Sequence, residues 1–286
     1  MIEIKKEKDI DILEIKVNKC PHCKNNHFIK YGRYKDEQRY KCKVCNKTFS
    51  SRTNTPWYHS KKSIYVWAQY YKLLFNKQTL RLSCKELNIS LPTSFAWRHK
   101  ILSSLSKEVK FDLLRGAVHI QRRFVKFNNK GQKAIYKDQP HDIWVYLASD
   151  NRDNILGKPV CVDRWNEKNF REIIYKKIDK KSYVHQIGDR FVQSIISHHN
   201  YKLKRIIDLN NIKKLRRAFN IFEDLLRIYH GIASKYIRRY LNIVEVFAKN
   251  KKYELNNIIT SAIGEQNYLK TSKLKEEEIV KIQNIC

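Results

Sequence analysis

The chain has 286 residues, 42% of them hydrophobic and 12% aromatic, which is enough apolar mass for two or three packed modules and excludes a disordered tail. Its 59 lysines and arginines against 28 aspartates and glutamates give a formal net charge of +31, and such self-repulsion is best relieved by a polyanionic partner. No window approaches the roughly 18 to 20 apolar residues of a membrane span, and the opening MIEIKKEKDIDILEIK lacks the apolar run of a signal peptide, so a soluble, cytoplasmic protein with no membrane partner is expected.

The first element is defined by cysteine. Seven cysteines stand at positions 20, 23, 42, 45, 84, 161 and 286. An odd number in a chain without export signals argues against a disulfide framework. Cys20, Cys23, Cys42 and Cys45 instead form two C-x2-C pairs, CPHC and CKVC. Each pair sets two thiolates on one tight turn, and two such turns close a tetrahedron around zinc with metal–sulfur distances of about 2.3 Å. HFIKYGRY and QRYKCKVC alternate as short strands joined at KDE, so the segment reads as a zinc ribbon. Four soft ligands leave no open position, which makes the zinc structural and worth roughly 10 to 16 kcal/mol to this module. His22 and His27 then belong to the surface, and Cys84 and Cys161 are small packing residues.

Three helices follow. Ser60 precedes a run in which Ile64, Trp67, Ala68, Tyr71 and Leu74 or Phe75 recur at helical spacing. A short helix fits Thr79 to Leu87 and a third fits Pro92 to about Ser106, with Ser90 as its cap. Helix, short helix, tight Asn88-Ile89-Ser90 turn and helix is the pattern of a helix-turn-helix, whose third helix enters the major groove. Thr93, Ser94, Trp97, Arg98 and Lys100 are the side chains expected to face DNA there. A three-helix spacer with a merely aromatic core is the alternative.

From Gly116 the pattern turns to strands: AVHIQRRFVKF, DIWVYLAS and NILGKPVCVD, with a turn from Asp150 to Asn154. A helix near Asn166 to Lys177, a strand at Ser182 to Ile187 and two long helices, about Asn211 to Tyr229 and Ser234 to Lys249, complete an α/β layer with a mixed sheet. Residues 202 to 252 carry fourteen Lys or Arg against four acids, a second electrostatic footprint that includes Lys213 and Lys214. The stretch after 265 reads as a marginal, exposed helix.

The residues CPHC to CKVC, RYKCKVCNKTFSSRTNTP, SLPTSFAWRHKIL and YHGIASKYIRRYLN resemble insertion-sequence transposases built from a zinc ribbon, a helix-turn-helix and a ribonuclease-H-like DDE domain. The resemblance runs from about residue 17 to 250. It implies recognition of transposon ends by the first two modules, strand transfer by the third, and pairing of two ends by a homodimer. Strand transfer needs three acidic or amide ligands converging on two divalent ions such as Mg2+. In the family the first strand carries an acidic pair, where this chain has Gln121 and Arg122 within GAVHIQRRF. A guanidinium repels the ions such a site must hold, and a Gln offers only a neutral carbonyl. The second carboxylate aligns with Ile187, two residues before Asp189, and the third with Arg216, about two turns before Glu223 and Asp224. Asp189 also suits a cap for a helix starting at Arg190, Glu223 and Asp224 can pair with arginines of their own helix, and Asp112, Asp142, Asp150 and Asp153 flank strands and turns where Asp bonds locally.

The expected architecture is therefore multidomain α+β: a zinc ribbon at 17–56, a helix-turn-helix at 57–110, a ribonuclease-H-like domain with C-terminal helices at 111–264 and a tail at 265–286. The expected function is binding of double-stranded DNA by a transposase scaffold with a degenerate acidic site, nucleoid-associated in a prokaryote. Asp189 and Glu223 are the weak catalytic candidates. Two alternatives stay open: an active transposase using Mg2+ with Asp142 or Asp150, Asp189 and Glu223, and an RNA-associated zinc-ribbon protein.

Overall fold

The computed structural model describes residues 17–34, 37–106, 111–130, 141–186, 188–198, 208–249 and 255–274. Three strands come first, β1 (Phe28–Tyr34), β2 (Glu37–Cys42) and β3 (Thr48–Ser50), in an antiparallel sheet of that order. Side chains alternate across a strand, so Phe28, Tyr40 and Cys42 point inward while Arg39 and Lys41 point out. The rings of Phe28, Tyr40 and Phe49 meet at 5.4 to 5.6 Å and pack with Cys20 and Cys42. Beyond β3, Arg52 pairs with Glu37 at 2.8 Å, donates to the Ser60 carbonyl at 2.8 Å and lies over the Trp57 ring. That side chain ties the strands to the segment leading into the helices.

Local signals set the helices. Helix α1 (Ile64–Phe75) starts after Ser63 rather than Ser60; the Ser60 hydroxyl instead accepts from Trp67 Nε1 at 2.9 Å. Helix α2 (Leu80–Leu87) is capped by Thr79, whose side chain accepts from the Leu82 amide, and ends at Asn88, which takes the left-handed conformation at φ 46°. Two residues later Ser90 caps α3 (Leu91–Ser104) by accepting from the Thr93 amide.

The second sheet has the order β6-β5-β4-β7, formed by β4 (Ala117–Lys126), β5 (Asp142–Ser149), β6 (Ile155–Val162) and β7 (Tyr183–Gln186). The first three make an antiparallel meander, and β7 returns parallel to β4. Parallel return requires a crossover, here through α4 (Glu167–Ile173), capped by Asn166. Val118, Ile120, Tyr146 and Val160 on one face pack against Phe170 of α4 and against Val192, Ile195 and Ile196 of α5 (Arg190–His198). The opposite face is covered by α6 (Leu209–Ile228) and α7 (Ile237–Lys249). β5 is buried along nearly its whole length, as a strand covered on both faces must be. At Gly157 a Cβ would come within 2.5 Å of Leu147 Cδ2; without one, the amide reaches Glu245 of α7 at 2.7 Å.

Helix α8 (Leu255–Gly264) was not expected, and it changes the domain boundaries drawn from sequence. Residues 255–274 group with the N-terminal unit, so neither a domain running to 264 nor a free tail from 265 describes them. Ile258, Ile259, Ala262 and Ile263 bury one face of α8, which packs on α1 and α3, and Asn267 donates to the Ser103 carbonyl at 2.9 Å. The residues after 274, including Cys286, lie outside the described residues, as do 35, 36 and 187. Among the described residues no helix is long and apolar enough to cross a membrane.

The turn joining β5 to β6 is organised by Asp150, which is fully buried and accepts from the amides of Arg115, Arg152 and Asn154 and from the Asn154 side chain, at 2.9 to 3.1 Å. Removing it leaves four donors of the turn without their acceptor. Asp150→Ala is therefore expected to destabilise this unit by about 3 kcal/mol, read as a lower denaturant midpoint.

Candidate metal centre and the polar cluster of the second sheet

The two C-x2-C turns are built alike. The Cys20 amide donates to the Asn25 carbonyl at 2.8 Å, and the Cys42 amide donates to the Lys47 carbonyl at 3.0 Å. In each turn the residue after the second cysteine, Lys24 or Asn46, has a positive φ, 63° or 56°. This repeated backbone aims four sulfurs at one point. All four ligand atoms lie within 4.8 Å of one another, with Cys20 to Cys45 at 3.7 Å and Cys23 to Cys42 at 3.5 Å. A tetrahedron with metal–sulfur bonds of about 2.3 Å has edges of about 3.8 Å. The cluster therefore fits a metal ion such as zinc. The amide of Cys45, outweighing burial, draws the Cys42 thiol down to about 7, whereas against the pull of the Asn25 backbone, burial and the neighbouring cysteines push the Cys23 thiol up to about 12. His22 and His27 are exposed beside the cluster, as expected.

The acidic candidates are not brought together. Asp189 is buried at the start of α5, where one carboxylate oxygen accepts from the Phe191 and Val192 amides and the other meets Arg122 at 3.3 Å and the Tyr146 hydroxyl at 2.9 Å. Burial, reinforced by Asp189, pushes the Tyr146 hydroxyl well above its usual range, so it stays a donor. The Arg122 guanidinium also lies over the rings of Trp144 and Phe191, at 4.8 and 5.8 Å. Glu223 of α6 meets Arg123 instead, at 3.8 Å. Arg122 and Arg123 are successive residues of one strand and point to opposite faces. Asp189 and Glu223 are thus separated by the sheet and cannot share an ion.

The other acids have local work. Asp142 pairs with Lys126, Asp153 with Lys214, and Asp224 with Arg227. Asp150 is the turn organiser described above. Gln121 stands half-buried on the face that α6 covers, and Arg216 is exposed on α6. On the same face, His119 of β4 is buried beside His185 of β7, and burial, followed by the neighbouring His185, lowers the His119 imidazole to about 4. Among the described residues, no group of three His, Cys, Asp or Glu other than the four cysteines comes within ligating reach.

The side chains expected to face DNA need correction. Of Thr93, Ser94, Trp97, Arg98 and Lys100, only Thr93 stays partly accessible. Ser94 bonds the Tyr70 hydroxyl at 2.7 Å, Trp97 stacks on Trp67 at 4.0 Å, and Arg98 donates to the Gln78 carbonyl. Lys100 lies over the Tyr268 ring at 5.0 Å, and burial lowers its pKa. α3 is an inner helix, wrapped by α1 and by α8. The signal for that cover was present in the spacing of Ile258, Ile259, Ala262 and Ile263. Lys213 is exposed as expected, whereas Lys214 is engaged with Asp153 at 2.7 Å and the Asp150 carbonyl at 3.2 Å. Cationic and aromatic side chains do gather on the outer face of the three-stranded sheet. Tyr31 is 47% exposed and Tyr34 65%, with Arg39 and Lys41 over the Tyr31 ring at 5.9 and 5.4 Å.

An uncharacterized protein in transposable element ISH50 of Halobacterium salinarum is 32% identical to this chain over 123 residues. The match covers 42% of this chain, and the chain spans 40% of that relative's length. No known protein family and no solved structure matches.

Cys42→Ser is expected to release the metal and melt the three-stranded sheet while leaving the helicity of the second unit intact; elemental analysis with far-ultraviolet dichroism checks both. Asp189→Ala is expected to cost about 3 kcal/mol of stability, because it strips a cap and a buried ion pair together. A thermal melt monitored at the tryptophans near Arg122 reads that loss.

Proposed function

We propose that this is a DNA-binding protein of insertion-element origin, built on a transposase scaffold whose two-metal cleavage centre has been lost. One observation carries the reading: the middle of β4 presents Gln121 on one face and, on the other, an Arg122 guanidinium pinned by Asp189. No pair of hard divalent ions can be cradled by that combination. The antiparallel meander with a fourth strand parallel to the first fits a ribonuclease-H-like sheet, and the ISH50 relative fits a mobile-element ancestry. The four-cysteine cluster is then the zinc of a ribbon.

The recognised partner is duplex DNA, gripped through phosphates. The capped helices around the Asn88 turn fit a helix-turn-helix by spacing, but the burial of α3 moves the contact surface elsewhere. The outer face of β1 and β2 supplies Tyr31 between Arg39 and Lys41, and the exposed side of α2 adds Arg81 and Lys85. A notch of about 450 Å³ beside the ribbon, lined by Tyr34, Arg39, Ser50 and His59 among others, extends this surface.

Fluorescence anisotropy with duplex DNA, duplex RNA and single strands at one fixed salt tests the reading. Duplex DNA is expected to bind most tightly, and the double substitution Tyr31→Ala with Arg39→Ala is expected to weaken binding about tenfold. Preference for RNA would favour a ribbon protein of RNA instead. A strand-transfer assay with Mg2+ or Mn2+ is expected to give no product; a product abolished by Glu223→Gln would overturn the loss of cleavage.

A further inference from the structure

His119 and His185 lie on the α6 face of the sheet and have no part in the DNA-binding reading. They are register partners on the parallel strands β4 and β7. His119 is only 2% exposed, yet neither of its ring nitrogens finds a hydrogen-bond partner among the described residues. The Nδ1 atom of His185 is likewise buried and unmet. An imidazole always presents two polar nitrogens, and burying either one without a partner disfavours the fold. Three such atoms on two touching side chains mark a place built for a ligand rather than for packing.

Their spacing suits one shared ion. With metal–nitrogen bonds of about 2.0 Å and tetrahedral angles, two imidazoles on one metal have ring centres about 5 Å apart. The observed separation is 4.9 Å at an interplanar angle of 53°. The first turn of α6 is fastened beside them: the Asn211 side chain donates to the Ala117 carbonyl at 3.0 Å, and Asp208 caps that turn. Imidazole nitrogen selects borderline ions such as zinc, nickel or cobalt over magnesium, so this is not a remnant of an all-oxygen site.

We propose that His119 and His185 form a second metal site, which takes a borderline divalent ion such as Zn2+ or Ni2+, with solvent completing the shell. The site uses no residue of the DNA-contacting surface, so it stands or falls separately from that reading.

The test uses the untagged full chain, first loaded with zinc at the cysteines and then titrated with Ni2+ by calorimetry. Bound metals are counted after gel filtration. The chain is expected to hold about two metal equivalents, of different chemistry. Cys42→Ser should lose the zinc alone. His119→Phe and His185→Gln should each lose the nickel, or weaken it more than about tenfold, while keeping the zinc. Because His185 is half-buried, His185→Gln is the variant expected to keep its fold, checked by far-ultraviolet dichroism. Absence of nickel uptake by the unsubstituted chain would mean that the nitrogens bind only water, and would overturn the proposal. So would nickel uptake that survives both substitutions.

Discussion

A guanidinium held in the middle of a sheet by a buried carboxylate sets what the second unit can do. Arg122 could not sit beneath three aromatic rings as a lone cation, because desolvation would outweigh the ring contacts; the Asp189 carboxylate is what makes the position tolerable. Asp189 is in turn fixed by the first amides of α5 and by Tyr146, so strand, helix and neighbouring strand share one polar knot. A carboxylate committed in this way is a structural element. The two-residue period of β4 then leaves the opposite face with Gln121 and Arg123, the latter meeting Glu223 of α6 at 3.8 Å.

The same logic of paired burial recurs in the second unit. Glu245 is almost fully buried against β6, where burial raises its pKa while Lys158 at 3.1 Å and the Gly157 amide hold the carboxyl in place. Lys214 gives up its place in the basic surface to stitch α6 to the turn at Asp150. A chain with a net charge of +31 therefore uses part of its positive charge inside, as the counterpart of scarce acids, and leaves the remainder on its surface.

In the N-terminal unit a small sheet is held by something other than a core. Three aromatic rings and two cysteines cannot bury enough apolar area to order some thirty residues. Convergence of four sulfurs supplies the missing free energy once a metal is bound. With the inner face so occupied, the outer face is left to carry Tyr31, Arg39 and Lys41, which the fold does not need for packing.

The sequence by itself determined whatever depends on near neighbours. The C-x2-C spacing defined the metal cluster, Thr79, Ser90 and Asn166 marked helix starts, and the Asp150 to Asn154 turn separated two strands, because each of these is settled by hydrogen bonds within a few residues. Gln121 and Arg122 could likewise be read as unfit for a two-metal site from their chemistry alone. Tertiary structure decided which side chains meet water or one another. Arg98 and Lys100 read as a reading head by spacing alone, but Arg98 donates to the Gln78 carbonyl and Lys100 lies over the ring of Tyr268, far along the chain. Asp189 and Glu223 read as possible partners until β4 was seen to stand between them. Burial and convergence are properties of distant segments brought together, and no local pattern of residues records which segment will arrive.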